Sequence, residues 1–358
     1  MLKSLYLLFC LSLISVGVFA SDTLVSLSGS TLTGFSGIKQ DAESNPFRGQ
    51  FESAANVVFH LDHGDEIKLK VDLALASLMN ESGFGLSMLV FDLKYTPNQF
   101  EDLAFNFGYN PIPFGQFAEA QTNNSKINSS FIYNDLGYAL LTKNENVFQF
   151  RSNGVKATYS SNYGSVDSMV FNGTNDFDTN PDKGFGVALR YLNETIIPNS
   201  TVSVSYLNSN DSGNVFAING NTTGYIADFK TDLYNIEFGG YFTSLTLDDY
   251  NSSTKDGVSS FMVYTSKNFG KYTLAARYSA VSPEDYDGNG EGITSALMPL
   301  GLSNITITDL DVSRIQVAGI LHLSKSFNLH NEVVYDMYAD DYDAYNNIGF
   351  LSYASLNF

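Results

Sequence analysis

Glu66-Ile67-Lys68-Leu69-Lys70-Val71-Asp72-Leu73-Ala74-Leu75 decides the fold. Every odd position is large and apolar, and every even one is charged or small. A period of two places one face of an extended strand in oil and the other in water. The same alternation recurs along the chain. Leu89, Phe91, Leu93 and Tyr95 stand against Val90, Asp92 and Lys94. Leu103, Phe105, Phe107 and Tyr109 stand against Ala104, Asn106 and Gly108. Phe185, Val187, Leu189 and Tyr191 alternate with Gly186, Ala188 and Arg190, and Tyr272 to Tyr278 and Ile315 to Leu323 repeat the pattern. Helical periodicity is almost absent.

Sixteen such segments are legible, from 23–37 at one end to 345–358 at the other, including 101–109, 146–160, 223–230, 232–246 and 305–323. Their connections sort by length. The short ones are His63-Gly64-Asp65, Thr96 to Phe100, Ser161-Asn162-Tyr163, Ile196 to Asn199, a tight turn at Thr231, Asn268-Phe269-Gly270 and Lys325-Ser326-Phe327. The long ones are 38–47, 81–85, 110–145, 175–183, 209–222, 247–256, 282–304 and 339–344. Short and long alternate, so all short turns lie at one end of an antiparallel sheet, together with both termini. A soluble sandwich has no reason to sort its connections. An outer-membrane barrel does, with the short turns in the periplasm. The 22 Tyr and 28 Phe cluster near segment ends, where such a barrel carries its aromatic girdles. The last segment ends on Phe358, with Leu356, Ala354, Ser352, Phe350 and Ile348 on one face. The fold expected is all-β: a sixteen-stranded antiparallel transmembrane β-barrel over 21–358.

Residues 1–20 read as a cleaved signal peptide. Lys3 precedes the apolar run from Leu5 to Val18, and Val18-Phe19-Ala20 leads into polar Ser21-Asp22. The single cysteine, Cys10, falls inside it, so the exported chain has no thiol to pair. The whole chain carries 19 Lys and Arg against 38 Asp and Glu, net −19, and losing Lys3 leaves it more acidic still. Nucleic-acid binding needs clustered positive charge, so that partner is not expected. Permeant or divalent cations suit the balance better.

The third long loop, 110–145, exceeds every other connection, and loops of that length are functional or disordered. It opens Asn110-Pro111-Ile112-Pro113-Phe114-Gly115-Gln116-Phe117-Ala118-Glu119. Pro111, Pro113 and Gly115 bend the chain sharply as it leaves the fifth strand, as a loop turning into a lumen must. Phe114, Phe117, Phe131 and Tyr133 offer apolar contacts for an inner wall, and Glu119 and Asp135 offer negative charge at a narrowing.

Here the chain resembles the sixteen-stranded general porins of Gram-negative bacteria. Arg151 to Gly164 looks like the strand those proteins place after their third loop, and Pro113-Phe114-Gly115 resembles the opening of their constriction loop. The resemblance covers the mature chain in layout and is patchy in residues. It implies an outer-membrane, homotrimeric diffusion channel in contact with lipid and lipopolysaccharide, with no cofactor. It also implies carboxylates on the folded-in loop, for which Glu119 and Asp135 stand, facing a basic wall. Alternation turns Arg48, Lys68, Lys70 and Lys94 inward, and Arg151 or Lys156 joins them, Gly154 marking a bulge that shifts the register there. Glu52, Asp72 and Asp92 share those faces, so the family's tight arginine cluster is not evident. Phosphate-selective porins need a Lys- and Arg-rich lumen, which this acidic chain lacks.

Other chemistry finds little footing. Asp285 to Glu291 mimics the opening of an EF-hand loop, but Ala296 stands where the bidentate acid belongs. The four histidines, His60, His63, His322 and His330, have no zinc-ligand spacing, and no Gly-x-Ser-x-Gly elbow is present. The chain is therefore expected to pass ions and small hydrophilic solutes, with a preference for cations, and not to be an enzyme. A substrate-specific porin and a non-conducting surface or adhesion protein are the alternatives.

Overall fold

A computed structural model describes residues 23–40, 48–77, 84–116, 151–172, 185–210, 220–249, 255–284, 311–338 and 346–358. The expected signal peptide (1–20), Glu119, Asp135 and 285–291 lie outside these residues. The strands are β1 (Thr23–Gln40), β2 (Arg48–His63), β3 (Ile67–Ser77), β4 (Phe84–Tyr95), β5 (Leu103–Pro111), β6 (Arg151–Ser161), β7 (Gly164–Asn172) and β8 (Phe185–Asn193). They continue as β9 (Ser200–Ser209), β10 (Gly220–Leu233), β11 (Ile236–Asp249), β12 (Lys255–Asn268), β13 (Tyr272–Glu284), β14 (Val312–His322), β15 (Phe327–Tyr338) and β16 (Asn347–Asn357). Each pairs antiparallel with its sequence neighbours, and β16 pairs with β1 to close the barrel. Closure leaves no open strand edge, a condition for any sheet that crosses lipid.

Alternation is realised as outside against inside. Val155, Val166, Val170, Leu189, Val204, Val263, Leu274, Ile315 and Val317 face outward and are exposed. Toward the short-turn end the outer surface carries Tyr95, Tyr159, Tyr163, Tyr191, Tyr272 and Phe358. Toward the other end it carries ring pairs: Phe35 with Phe51, Tyr206 with Tyr225, and Phe261 with Tyr278 at 5.4, 5.2 and 5.6 Å between centroids. An apolar band between two aromatic rings is the lipid-facing pattern of a membrane barrel. The inner face carries Asp72, Asp167, Arg190, Asp228, Arg277, Arg314, Glu332 and Asp336, all buried.

The chain end seals the seam. Gly29 and Phe358 exchange both backbone hydrogen bonds at 3.0 Å, and the Phe358 ring occupies the space where a Cβ on Gly29 would stand.

Three details depart from the sequence reading. The turn expected at Thr231 sits at Tyr234-Asn235, both left-handed with φ of 56° and 61°, and β10 and β11 shift accordingly. Two residues with positive φ match the right-handed twist of the flanking strands. Register runs unbroken through Gly154, so no bulge lies there. The bulge is on β4, where Asp72 pairs with Val90 but Leu73 with Met88, leaving Leu89 as the extra residue.

Candidate functional site on the inner wall

Chain direction after β5 decides what the lumen looks like. Pro111 still pairs with Arg151 as the last residue of the strand. The Phe114 amide then donates to the Ile112 carbonyl at 2.8 Å, a three-residue turn with Pro113 at its centre. Proline's ring holds φ near the value such a turn requires. Gly115 follows with φ of 79°, a left-handed conformation that suits a residue without Cβ. Ile112 and Phe114 are fully buried.

The segment lands on wall strands that do not neighbour β5. The Phe114 ring lies over Gly224 of β10, so that a Cβ there would come within 3.0 Å of it. The Gly115 amide donates to Ser205 Oγ on β9 at 3.0 Å, and Arg190 Nη1 on β8 donates to the Gly115 carbonyl at 3.2 Å. The Gln116 amide donates to Asp228 Oδ2 on β10 at 2.9 Å, and its side-chain Nε2 donates to Asp228 Oδ1 at 2.6 Å.

These wall groups are themselves held. Ser203 Oγ donates to Asp228 Oδ1 at 2.6 Å. Arg190 bonds Asp167 Oδ2 through Nε at 2.8 Å and Nη2 at 2.7 Å, and Thr158 donates to Asp167 Oδ1. Asp167, Arg190, Ser203, Ser205 and Asp228 thus form one buried polar bracket for residues 115–116. Charge-assisted bonds of this kind are stronger than neutral ones. Sequence reasoning missed the bracket; its one signal was charge on the inner face of alternating strands, Arg190 opposite Asp167.

The basic residues expected to line the pore separate into two ends. Lys68 and Lys94 pair with each other across β3 and β4, close above the short turns, with Lys70 one inward step higher opposite Asp92. Asn106 donates to both oxygens of Asp92, at 3.0 and 2.8 Å. Acids and bases are interleaved here rather than segregated. Arg48 opens β2 at the opposite end of that strand, paired with Ile38. Arg151 opens β6, is fully buried and interacts electrostatically with Asp72.

A second polar cluster lies across β13–β15. Arg314 grips Asp336 with Nε to Oδ1 at 2.5 Å and Nη2 to Oδ2 at 2.8 Å. Arg277 Nε donates to Gln316 Oε1 at 2.7 Å, and Gln316 Nε2 donates to Glu332 at 2.8 Å. Among the described residues no group of three or more His, Cys, Asp or Glu side chains is placed to hold a metal ion.

A closed sixteen-stranded antiparallel barrel is a known architecture. An anion-selective porin from Comamonas acidovorans superposes with TM-score 0.67 at 12% identity, covering 94% of this chain and 100% of that one. This is the porin fold. OmpT of Vibrio cholerae, an outer membrane protein solved in a trimer form, gives 0.62 at 13% identity over 94% and 100%. The outer membrane channel DcaP of Acinetobacter baumannii gives 0.62 at 15% identity over 95% and 99%. No family model matches the sequence, and no curated protein does.

Proposed function

We propose that this chain is an outer-membrane channel through which ions and small hydrophilic solutes diffuse. One observation carries the reading: a barrel with an apolar outside and a polar inside, whose third loop starts inward and is bracketed at Gly115-Gln116 by the far wall. Sixteen strands enclose a lumen wide enough for water. A loop held across it narrows the passage, and width and charge at the narrowing then select what passes. The acidic excess of the chain, with Glu119 and Asp135 on the same loop, favours cations. Export through a cleaved leader and assembly as a homotrimer among lipopolysaccharide complete the reading. The porin-type neighbours support it, one of them solved in trimer form.

Planar-bilayer recording tests this. Purified protein should give discrete conductance steps, with reversal potentials in a salt gradient showing cation preference. Glu119→Gln with Asp135→Asn should reduce that preference. Absence of any step from folded protein sinks the channel reading. The second reading, a non-conducting surface protein, is favoured by the full burial of Arg314, Gln316, Glu332 and Asp336 on a wall that a wide, wet lumen would leave hydrated. Liposome swelling with small sugars separates the two, since only a channel admits them.

A further inference from the structure

The seven short turns do not share charge evenly. The β2–β3 turn carries Asp65 and Glu66, the β4–β5 turn Glu101 and Asp102, and the β8–β9 turn Glu194. Asp232 closes the β10–β11 turn by accepting from the Asn235 amide at 3.1 Å, and Lys230 beside it is paired with Glu237. None of these turns holds a lysine or arginine of its own. The β12–β13 and β14–β15 turns reverse the sign. Lys267 and Lys271 flank the first, Lys325 stands in the second, and neither holds an acid. β13 and β14 are paired neighbours, and the His322 amide donates to the Lys271 carbonyl at 2.9 Å, so the two turns lie side by side on the rim. Each is held from within. The Gly270 amide donates to Asn268 Oδ1 at 2.6 Å, and Ser324 Oγ accepts from the amides of Ser326 and Phe327 at 3.2 and 3.0 Å. Among the described residues none of the three lysines pairs with a carboxylate.

The surroundings put this group at the lipid boundary. Lys267 continues the outward face of Phe261 and Val263 on β12, and its Nζ sits 5.3 Å from the centroid of the exposed Phe269 ring. Tyr272, Leu274 and Leu323 are exposed on the same outer flank. A lysine there lays its stem along apolar surface and carries its charge to the level of the headgroups. Its ammonium is a point charge on a flexible stem, which suits a phosphate oxygen approached from several directions. Three cations with no acid among them also disfavour a headgroup that carries an amine. A soluble acidic partner would meet the turn tips from the water, whereas Lys267 stands on the flank above them. We infer that Lys267, Lys271 and Lys325 form a binding site for a net-anionic phospholipid of the periplasmic leaflet, its phosphodiester on the lysines and its acyl chains against Tyr272, Leu274 and Leu323. The inference rests on the barrel lying in a membrane with its short turns in the periplasm.

Native mass spectrometry of the folded barrel, released from detergent doped with equal phosphatidylglycerol and phosphatidylcholine, is the test. Wild type should retain phosphatidylglycerol over phosphatidylcholine by about tenfold, as expected for several lysines at a membrane surface. The variant combining Lys267→Gln, Lys271→Gln and Lys325→Gln should lose that preference. The variant combining Lys267→Arg, Lys271→Arg and Lys325→Arg should keep it, and both should keep the circular dichroism of a folded barrel. Lys39→Gln, at the loop end of β1, should leave the preference intact. No preference in wild type, a preference that survives the glutamine changes, or its loss in the arginine variant would each overturn the inference. So would displacement of phosphatidylglycerol by an equal amount of lipopolysaccharide, or by polyglutamate at equal charge. Conductance is read separately, in phosphatidylcholine bilayers. Current steps without lipid preference end this inference and leave the channel; a lipid preference in a silent barrel ends the channel and leaves this inference.

Discussion

Arg314 and Asp336 face each other across β14 and β15, while Arg190 and Asp228 sit on β8 and β10 and reach a loop. Both sets are buried, lumen-facing and alike in residue type. Among the described residues the first set bonds within its own wall: guanidinium and carboxylate meet through two bonds across neighbouring strands. The second binds backbone. Asp228 takes bonds from Gln116, 112 residues away in sequence, and Arg190 holds the Gly115 carbonyl. A pair that closes on itself stabilises the barrel. A group that closes on a loop also decides where the loop goes. The same alternating inner face thus does two jobs, told apart only by where the bonds end.

Removing one carboxylate from each set is the strongest way to break the comparison. Asp336→Ala leaves Arg314 as a buried charge without its carboxylate and should cost about 3–5 kcal/mol, the usual penalty for splitting a buried pair. Unfolding in guanidinium from lipid vesicles measures it, and single-channel conductance of the surviving protein should be unchanged. Asp228→Ala strands the Gln116 donors instead, at about 1–3 kcal/mol per buried group left unsatisfied. Its larger signature should be electrical: noisier and higher conductance from a loop no longer held. If Asp336→Ala alters conductance and Asp228→Ala does not, the division of labour is wrong.

Arg190→Met comes next, because it touches both jobs at once. It leaves Asp167 accepting from Thr158 and frees the Gly115 carbonyl. Stability should fall by about 2–4 kcal/mol, between the self-contained pair and the loop contact. A double-mutant cycle with Asp228→Ala should show coupling of about 1 kcal/mol, since both hold adjacent loop residues. Strict additivity would mean that the bracket is two independent contacts.

How far this could be read from sequence follows from the range of each interaction. Alternation is local, so strand number, facing and the sorting of connections were legible. The Pro113 and Gly115 bend was legible for the same reason, because φ preferences belong to single residues. The turn at Tyr234-Asn235 was not, since Leu233-Tyr234-Asn235-Ile236 lacks the glycine that usually marks two left-handed residues. The bulge at Leu89 leaves no trace in an apolar run. Asp228 and Arg190 were invisible as a site because their role depends on strand register and on a loop distant in sequence. Lys68, Lys70 and Lys94 stand close above the short turns, a height that only the pairing register gives.

Gly115→Ala sharpens the loop side with a smaller effect. At φ of 79° a Cβ strains the backbone by about 1–2 kcal/mol. The bonds to Ser205, Arg190 and Asp228 oppose any relaxation, so the strain should surface as a fraction of channels with the loop displaced. Two conductance levels in single-channel records are the expected result. A single unchanged level would show that the bend tolerates a side chain and that the bracket alone holds the loop.

The smallest expected effect calibrates both sets. Lys230 and Glu237 form a third ion pair, at 2.7 Å across β10 and β11 near the Tyr234-Asn235 turn, with side chains 47% and 34% exposed. Tyr264 donates to the same carboxylate at 2.8 Å. Glu237→Gln keeps an acceptor for that hydroxyl and removes only the charge. Water and salt screen a pair this open, so the loss should stay below about 1 kcal/mol and shrink further in molar salt. Asp336→Asn is the matching change inside the wall: nearly the same shape, charge removed, no solvent to compensate. If the two amide variants cost the same in guanidinium unfolding, burial is not what makes the inner-wall carboxylates matter, and the contrast between the self-closed pair and the loop bracket loses its physical basis.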